Sequence, residues 1–237
     1  MVDILAIGAH PDDVELSCSG TLLKQIDSGY TVGLLDLCQG ELGTRGTPDI
    51  RKKEADEAAQ KMGAQFRWNA GLKDGFLFSN ENNNRVVAAY IRRARPKFIL
   101  ANAPTDRHPD HGRSAEIAKE AFFLAGLKAL RLELNGDELA AWRPKVLLHY
   151  IQDYHLVPDL VVDISSFMQQ KLELVKTFSS QFYDPDSNEP ETPISTKSFL
   201  DQLSGKARTY GRYAGFEFGE GFISPRPIGV GDINELV

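Results

Sequence analysis

Short apolar runs alternate with helical patterns through the first half of the chain. Buried strands are predicted at residues 3–8, 31–38, 65–70 and 98–102. After each run, apolar side chains recur at three- and four-residue spacing, which is typical of amphipathic helices packed on a sheet. Strands that alternate with helices favour right-handed crossovers and a parallel sheet that is covered on both faces.

The pattern is looser beyond residue 130. The sequence there predicts strands at residues 145–150 and 160–164, helices around 168–175 and 199–210, and a polar loop at 181–193. We therefore predict a single-domain α/β fold over residues 1–237, a Rossmann-like three-layer sandwich with a mostly parallel sheet. Its core comprises residues 1–165, and C-terminal helices and loops make up residues 166–237. The doubly wound strand order 3-2-1-4-5 places the first and fourth strands side by side.

Two loops rich in histidine and aspartate follow the first and fourth predicted strands. The first reads AHPDDVE at residues 9–15, and the second reads HPDH at residues 108–111. In a doubly wound sheet, ligands bind at the carboxyl ends of these two strands, where the strand order reverses. His10, Asp13 and His111 are therefore the predicted ligands of one metal ion. Two imidazoles and a carboxylate, with one position open, are typical of catalytic zinc, although ferrous iron also fits this set.

Three further side chains complete a hydrolytic site in this prediction. Asp12 stays off the metal, and a carboxylate beside a zinc-activated water, whose pKa falls to roughly 7, is suited to act as general base. Protonated His108 is predicted to stabilise the oxyanion. Asp110 is predicted to hold the orientation of the His108 ring. This combination suits the hydrolysis of an amide or an ester.

Composition and charge narrow the class of protein. The chain has 237 residues, of which 42% are hydrophobic and 25% charged, and its net charge of -6 argues against a general nucleic-acid binder. The two cysteines, Cys18 and Cys38, are too few for a disulfide framework and suit a reducing cytosol. We find no signal-peptide pattern and no apolar run of membrane-spanning length. We expect a cytoplasmic protein without nucleic-acid or membrane partners.

The sequence lacks the signatures of several other enzyme classes. It has no GxGxxG after the first predicted strand, no GxSxG nucleophile elbow and no HExxH zinc helix. A nucleotide-binding Rossmann enzyme is therefore disfavoured in spite of the predicted fold. His149 and His155 flank a tyrosine-rich segment, and we interpret them as structural residues or residues at the rim of the site.

The two motifs resemble those of a known family. AHPDDVE and HPDH, with the loop GELGTRGT, the following RKKEA and the ending GEGF, resemble the LmbE-like or PIG-L family of zinc-dependent N-acetylglucosamine deacetylases over nearly the whole chain. Chain length, the RKKEA helix and the segment Ser180-Gln181-Phe182 are most similar to members that deacetylate N-acetylglucosaminyl malate in bacillithiol biosynthesis. The resemblance implies metal-dependent removal of the N-acetyl group from such a small glucosamine conjugate. It also implies a homo-oligomer, as close relatives are hexamers.

Family roles carried over by position agree with the site deduced above. The metal ligands fall on His10, Asp13 and His111, the general base on Asp12, and the oxyanion-stabilising group on His108, with Asp110 beside it. The resemblance also implies substrate contacts at Arg51, Asp74, Glu41 and Arg107. Arg51 is the preferred partner of a malyl carboxylate, because a guanidinium binds carboxylates in bidentate fashion.

One position departs from the family pattern. Some relatives carry a tyrosine two residues before the first histidine of HPDH, and this chain has Asp106 there. A tyrosine role is therefore unsupported at that position. Tyr150 and Tyr154 are the alternative sources of such a group.

Other functions remain open from the sequence. The same chemistry would also serve another N-acyl sugar, an antibiotic precursor or a thiol S-conjugate amide. A metal-binding module without catalysis is a further alternative, although Asp12 and His108 would then have no task. An Asp12→Ala variant separates these cases, since an enzyme would keep its metal but lose turnover.

Overall fold

A seven-stranded sheet runs through the molecule and carries helices on both faces. The structure is a computed structural model that describes residues 1–236. In chain order its elements are β1 (Ile4–Gly8), α1 (Asp13–Asp27), β2 (Val32–Asp36), α2 (Pro48–Met62), β3 (Phe66–Asn69), α3 (Glu81–Ala94), β4 (Phe98–Ala101), α4 (Pro109–Ala125), β5 (Glu133–Leu134), β6 (Asp137–Glu138), β7 (Val146–Tyr150), β8 (Leu160–Asp163), α5 (Met168–Lys176), α6 (Lys197–Ala214) and β9 (Gly219–Ile223).

The strand order is β3-β2-β1-β4-β7-β9-β8, and β5 and β6 form a separate two-stranded ribbon. The first five strands of this order are parallel, whereas β9 is antiparallel to both β7 and β8. The predicted single-domain α/β fold and the predicted order 3-2-1-4-5 are thus confirmed, with β7 as the fifth strand. This order leaves β1 and β4 adjacent, which positions the loops that follow them.

The central strands are largely apolar because both of their faces are covered. Every residue of β1 and β2 is buried, as expected for parallel strands between two helical layers. On one face, Leu5 and Ile7 of β1 pack in a core shared with α3 and α4. On the other, Ile4 and Ala6 pack in a core shared with α1, α2 and α5. The alternation follows the two-residue period of a strand.

The sequence patterns did not predict β9 or the β5–β6 ribbon. β9 reads GEGFI, and two glycines in five residues weaken the strand signal. The structure shows why Gly219 is needed, because a Cβ there would lie 2.4 Å from Cγ1 of Val161 and 3.0 Å from the backbone nitrogen of Gly211. The small residue lets β9 lie close to both β8 and α6. Through β9, the C-terminal part of the chain enters the central sheet.

Two smaller sequence expectations are met in the described residues. Cys18 and Cys38 are both buried free thiols. His149 is buried, and its Nδ1 lies 2.7 Å from the backbone oxygen of Asn102, which is a structural contact. Within residues 1–236, no helix is both long enough and apolar enough to cross a membrane.

Candidate metal centre and active site

The two histidine- and aspartate-rich loops meet at the carboxyl ends of β1 and β4. The strands pair in parallel, with Ala6 opposite Leu100 as the last pair of their ladder. Beyond it, the rings of His10 and His108 lie 4.7 Å apart between centroids, those of His108 and His111 5.0 Å, and those of His10 and His111 5.6 Å. The topology therefore brings together imidazoles that are about a hundred residues apart in sequence.

Asp13 lies between the two predicted histidine ligands. His10 Nδ1 is 3.6 Å from Asp13 Oδ2, and His111 Nε2 is 3.2 Å from Asp13 Oδ1. One ring nitrogen from each of His10, His108 and His111 also lies within 4.8 Å of the other two. Two imidazoles flank one carboxylate here, and two imidazoles with a carboxylate are the donor set of a catalytic zinc site. His10, Asp13 and His111 thus fit a divalent metal, and His108 stands beside them.

A second set of three donors fits a metal less well. Atoms of His10, Cys38 and Asp74 lie within 4.8 Å of one another. Burial raises the pKa of the Cys38 thiol far above its usual range, and its Sγ donates to the Ala9 carbonyl at 3.1 Å. A metal ligand must be a thiolate, so Cys38 is a structural thiol here.

Three donors fix the Asp13 carboxylate in place. Oδ2 accepts the backbone N–H of His10 at 3.0 Å and the Asn102 side-chain amide at 2.9 Å, and Oδ1 accepts the Gln152 amide at 2.5 Å. Burial opposes ionisation of Asp13. The charge of His111 and the hydrogen bonds from His10 and His111 outweigh it, and they hold the pKa of Asp13 well below its usual range. The carboxylate is therefore ionised and oriented before any metal binds.

Each predicted histidine ligand is held by a carboxylate through its other ring nitrogen. His10 Nε2 lies 3.1 Å from Asp74 Oδ1, and His111 Nδ1 lies 2.6 Å from Asp106 Oδ2. Burial disfavours the imidazolium form in both. Hydrogen bonds to Asp13 and Asp74 still raise the pKa of His10 to about 10. The charge of Asp13 and the hydrogen bond to Asp106 raise the pKa of His111 to about 9.

Asp12 occupies the turn between β1 and α1 in a conformation that few non-glycine residues adopt. Its φ is 122° and ψ is -25°, and its side chain makes no capping hydrogen bond. The carboxylate instead lines the pocket, with Oδ2 3.4 Å from Nη2 of Arg51. Burial raises the pKa of Asp12 to about 7, although the charge of Arg51 opposes the shift. The group can therefore bind and release a proton near neutrality.

His108 is the N-cap residue of α4, because Pro109 opens the helix directly after it. Its Nδ1 accepts the backbone N–H of Asp110 at 3.2 Å, so that Nε2 is the nitrogen left to carry a proton. Burial, together with the charges of His10 and His111, lowers the pKa of His108. The structure thus favours a neutral ring with an Nε2–H donor, rather than the protonated ring predicted from the sequence.

The Asp110 carboxylate does not hold the His108 ring as predicted. Only its backbone N–H contacts that ring. The carboxylate accepts the backbone N–H of Gly75 at 2.7 Å and Nη1 of Arg113 at 2.9 Å. The first helical turn directs this side chain towards the loop after β3, so Asp110 anchors that loop against α4. The loop carries Asp74, which contacts His10.

The residues expected to bind substrate are already engaged by the chain. Arg51 is buried and donates to the Gly40 carbonyl at 3.1 Å and the Pro11 carbonyl at 2.8 Å. The Glu41 carboxylate accepts the backbone N–H of Asp74 at 2.9 Å, and Glu41 does not line the pocket. Arg51 and Glu41 therefore position the turn before α1 and the loop at residues 40–42. The preference of Arg51 for a malyl carboxylate is not supported by these contacts.

A pocket of about 350 Å³ opens from the histidine cluster. Asp12, Asp74 and Arg107 line it, and Arg107 forms an ion pair with Asp153. One wall is apolar and is formed by Leu16, Leu42, Ile194, Phe199 and Leu203. A concave site with apolar walls and a few convergent polar groups is typical of small-molecule binding.

Several polar residues at the site were not predicted from the sequence. They are Arg45, Asn102, Gln152, Gln181 and Lys206. Asn102 and Gln152 follow the ends of β4 and β7, so the rule that placed the two histidine loops could also have indicated them. Tyr150 and Tyr154, the proposed sources of a tyrosine group, do not line the pocket. The Tyr150 hydroxyl donates to the Ile7 carbonyl at 2.8 Å.

Several known proteins are similar to this chain in sequence or in fold. The family described as PIG-L: GlcNAc-PI de-N-acetylase matches residues 5–122. Diacetylchitobiose deacetylase of Thermococcus kodakarensis is 29% identical over 228 residues, which cover 92% of this chain and 81% of that protein. The probable N-acetyl-alpha-D-glucosaminyl L-malate deacetylase 2 of Bacillus anthracis is 24% identical over 196 residues, covering 76% and 81%. The solved structure of the conserved protein TT1542 from Thermus thermophilus is 35% identical, with 97% of each chain covered and a TM-score of 0.86.

Fold, site and relatives together define the class of protein. The chain is an amide hydrolase built on a mostly parallel α/β sheet. It belongs to the PIG-L/LmbE-like deacetylase family, as its two motifs indicated.

Proposed function

We propose that the protein is a zinc-dependent N-deacetylase that releases acetate from an N-acetylglucosamine conjugate. His10, Asp13 and His111 would hold the zinc ion. The observation that carries the proposal is the buried Asp12 carboxyl, which lines the pocket beside these three donors with a pKa of about 7. A metal-binding module without catalysis has no use for such a group. The activities named for the relatives support the acetamide as the bond that is broken.

Proton transfer falls to Asp12 in this mechanism. A zinc ion held by His10, Asp13 and His111 would supply a Lewis acid for the acetamide carbonyl and would lower the pKa of water. Asp12 takes a proton from the attacking water, because burial makes its carboxylate more basic than an exposed one. The same carboxyl then gives that proton to the leaving nitrogen, so that acetate and a free amine leave the site.

His108 supplies a hydrogen bond to the developing oxyanion. Its Nδ1 is occupied by the Asp110 backbone N–H, and the lowered pKa favours the neutral ring. The Nε2–H group therefore donates to the former carbonyl oxygen as negative charge develops there. A neutral donor serves this task without adding a positive charge next to the metal that His10 and His111 would hold.

The pocket favours a conjugate whose second half is uncharged. The four lysine and arginine side chains that line it all bond to the chain, and among them only Nε of Arg45 and Nε of Arg51 are buried without a hydrogen-bond partner within residues 1–236. Arg45 bonds to Ser187, Arg51 to Pro11 and Gly40, Arg107 to Asp153, and Lys206 to the Gln152 and Asp153 carbonyls. The apolar wall suits the face of a sugar ring. N,N′-diacetylchitobiose, which carries a second N-acetylglucosamine, is therefore the first candidate.

N-acetylglucosaminyl malate is the second candidate. The pair formed by Arg107 and Asp153 lies at the pocket with 44% and 34% of the two side chains exposed. A pair this accessible to water is weak, so a malyl carboxylate could displace Asp153 and bind Arg107. Such a substrate would bind less well as ionic strength rises.

The test is acetate release from both compounds by protein whose zinc content is measured on the same sample. We expect turnover of the disaccharide, with little change between low and high salt. Faster turnover of the malyl conjugate, with a kcat/KM that falls in salt, would select the second candidate. A zinc-loaded protein that releases acetate from neither compound would contradict the proposed function.

Assembly and cellular location complete the proposal. We propose that the protein is a homo-hexamer, because the family resemblance implies hexamers. We also propose that it is cytoplasmic, because both buried thiols are free, as suits a reducing compartment. Light scattering on the protein as it elutes from a size-exclusion column measures the molar mass of the assembly. A monomer at working concentration would contradict the proposed hexamer.

A further inference from the structure

Asp106 occupies the loop between β4 and α4, and its side chain is completely buried. Oδ2 lies 2.6 Å from His111 Nδ1. Oδ1 accepts two backbone N–H groups from the segment after β7, that of Asp153 at 3.0 Å and that of Tyr154 at 2.8 Å. The two oxygens of this one carboxylate therefore join two parts of the site.

We propose that Asp106 is a positioning residue for metal binding. It keeps His111 in the orientation and protonation pattern that a metal ligand requires. This inference rests on the proposed metal-dependent function. A carboxylate that is buried among donors only accepts hydrogen bonds, so His111 Nδ1 is the protonated nitrogen. Nε2 is then the nitrogen left for the metal, and it lies 3.2 Å from Asp13 Oδ1.

The second oxygen of Asp106 extends this effect to Asp13. The segment that it holds begins at Gln152, whose side-chain amide donates to Asp13 Oδ1 at 2.5 Å. The same amide nitrogen lies 3.4 Å from His111 Nε2. Asp106 thus fixes a ligand directly through one oxygen and supports the partner of a second ligand through the other.

The other histidine ligand has the same arrangement, which supports the assignment. Asp74 Oδ1 lies 3.1 Å from His10 Nε2, while His10 Nδ1 faces Asp13. Asp74 Oδ2 accepts the backbone N–H of Leu42 at 2.8 Å. Both imidazoles are therefore held between Asp13 and an outer carboxylate that is itself anchored by backbone N–H groups. Carboxylate partners of this kind fix the tautomer of metal-binding histidines.

Asparagine cannot replace Asp106, although it has the same shape. If its amide oxygen faces His111, its NH₂ group is turned towards the N–H groups of Asp153 and Tyr154. If its NH₂ group faces His111 instead, Nδ1 becomes the acceptor and the proton moves to Nε2. The first arrangement loses two backbone hydrogen bonds, and the second blocks the nitrogen that binds the metal.

The test compares zinc affinity in Asp106→Asn and the unmodified protein by chelator competition. We expect affinity to fall about 10- to 100-fold. Asp163→Asn is the matched control, since Asp163 Oδ1 accepts the backbone N–H and hydroxyl of Ser165 at the far edge of the sheet. Zinc affinity should be unchanged in that variant. Equal affinity in Asp106→Asn and the unmodified protein would overturn the inference.

A second measurement does not depend on whether the variant folds. In the zinc-loaded unmodified protein, nitrogen-edited NMR of the histidine rings should show a proton on His111 Nδ1. A proton on Nε2, or none on Nδ1, would overturn the inference. Neither measurement uses turnover, so a protein that binds zinc as expected but releases no acetate would contradict the proposed function and leave this inference intact.

Discussion

The guanidinium of Arg51 contacts both the backbone next to Asp12 and the Asp12 carboxylate. Nη2 lies 2.8 Å from the carbonyl oxygen of Pro11, directly before Asp12, and 3.4 Å from the Asp12 carboxylate. Nη1 donates to Gly40, and a Cβ at Gly40 would lie 1.8 Å from this nitrogen. Arg51 therefore fixes the backbone turn and the charge environment of the proposed base at once.

Arg51→Gln should reduce kcat and move the acid side of the pH profile. A general base acts when deprotonated, so activity falls as the pH drops through its pKa. The positive charge of Arg51 lowers the pKa of Asp12, so its removal raises that pKa and shifts the acid limb to higher pH. Loss of the buried charge-assisted hydrogen bonds should cost about 10- to 100-fold in kcat.

Lys52→Gln is the control for this variant. Lys52 is the next residue of α2, and its side chain is 73% exposed in an ion pair with Asp56. Both pH profiles are measured as kcat/KM against pH on the substrate that shows turnover. A profile of Arg51→Gln that coincides with that of Lys52→Gln would rule out the proposed role of Arg51.

Asp12→Ala should retain zinc and lose turnover. General acid–base catalysis contributes about 10²- to 10⁴-fold, so a loss of this size in kcat is expected. Zinc content is measured on the same sample, because His10, Asp13 and His111 are unchanged in the variant. Turnover close to that of the unmodified protein would remove Asp12 from the mechanism.

Asp12→Gly should be more stable than Asp12→Ala by about 1 kcal/mol. At φ 122° an alanine keeps the backbone strain, which costs about 1–3 kcal/mol. Glycine relieves this strain, but part of the gain is lost because glycine gives up more backbone entropy on folding. Both variants lack the carboxylate, so the difference isolates the backbone. Urea unfolding measures it, and a glycine variant that is the less stable of the two would show that the turn is unstrained.

Much of the site could be predicted from the sheet topology. The rest could not, because it depends on contacts between loops that are distant in sequence. His10, Asp13 and His111 could be placed together because parallel strands β1 and β4 end at one edge of the sheet. The contact of Asp106 with His111 depends on the path of the intervening loop, which no periodicity encodes. Gln152 approaches Asp13 only because β7 is the next strand.

The contacts of Arg51 could not be predicted from its charge. A sequence shows that an arginine is present, but its carbonyl partners, Pro11 and Gly40, are set by the fold. The missed strand β9 has a similar cause. Its first glycine, Gly219, is required by the close approach of β8 and α6, a tertiary demand that overrides local strand propensity.

Gly33→Ala should destabilise the protein by about 1–3 kcal/mol through overpacking. A Cβ at Gly33 in β2 would lie 2.2 Å from Cζ of Phe66, whose ring covers this glycine. Phe66 in turn stacks on Trp68, with centroids 3.7 Å apart, so the ring has little freedom to move. Urea unfolding measures the change. Gly205→Ala in α6 is the control, because a Cβ there meets nothing within 4 Å and alanine favours the helix.

A buried ion pair joins α5 to β9. Lys171 Nζ lies 2.5 Å from Glu220 Oε1, and both side chains are only 4% exposed. The Glu220 carboxylate also accepts the backbone N–H groups of Gly20 and Thr21 in α1, at 3.0 and 2.7 Å. The carboxylate is thus the point at which strand β9 meets helices α1 and α5.

Lys171→Met should cost about 3–5 kcal/mol of unfolding free energy, because it leaves the Glu220 charge buried without its cation. The double variant Lys171→Met, Glu220→Gln should recover part of that loss, since a neutral amide can still accept one of the α1 N–H groups through its oxygen. Urea unfolding of the two variants and of Glu220→Gln alone completes a double-mutant cycle. If the loss of unfolding free energy in the double variant equals the sum of the losses in the two single variants, the two side chains act independently. The contact of α1, α5 and β9 would then not depend on their pairing.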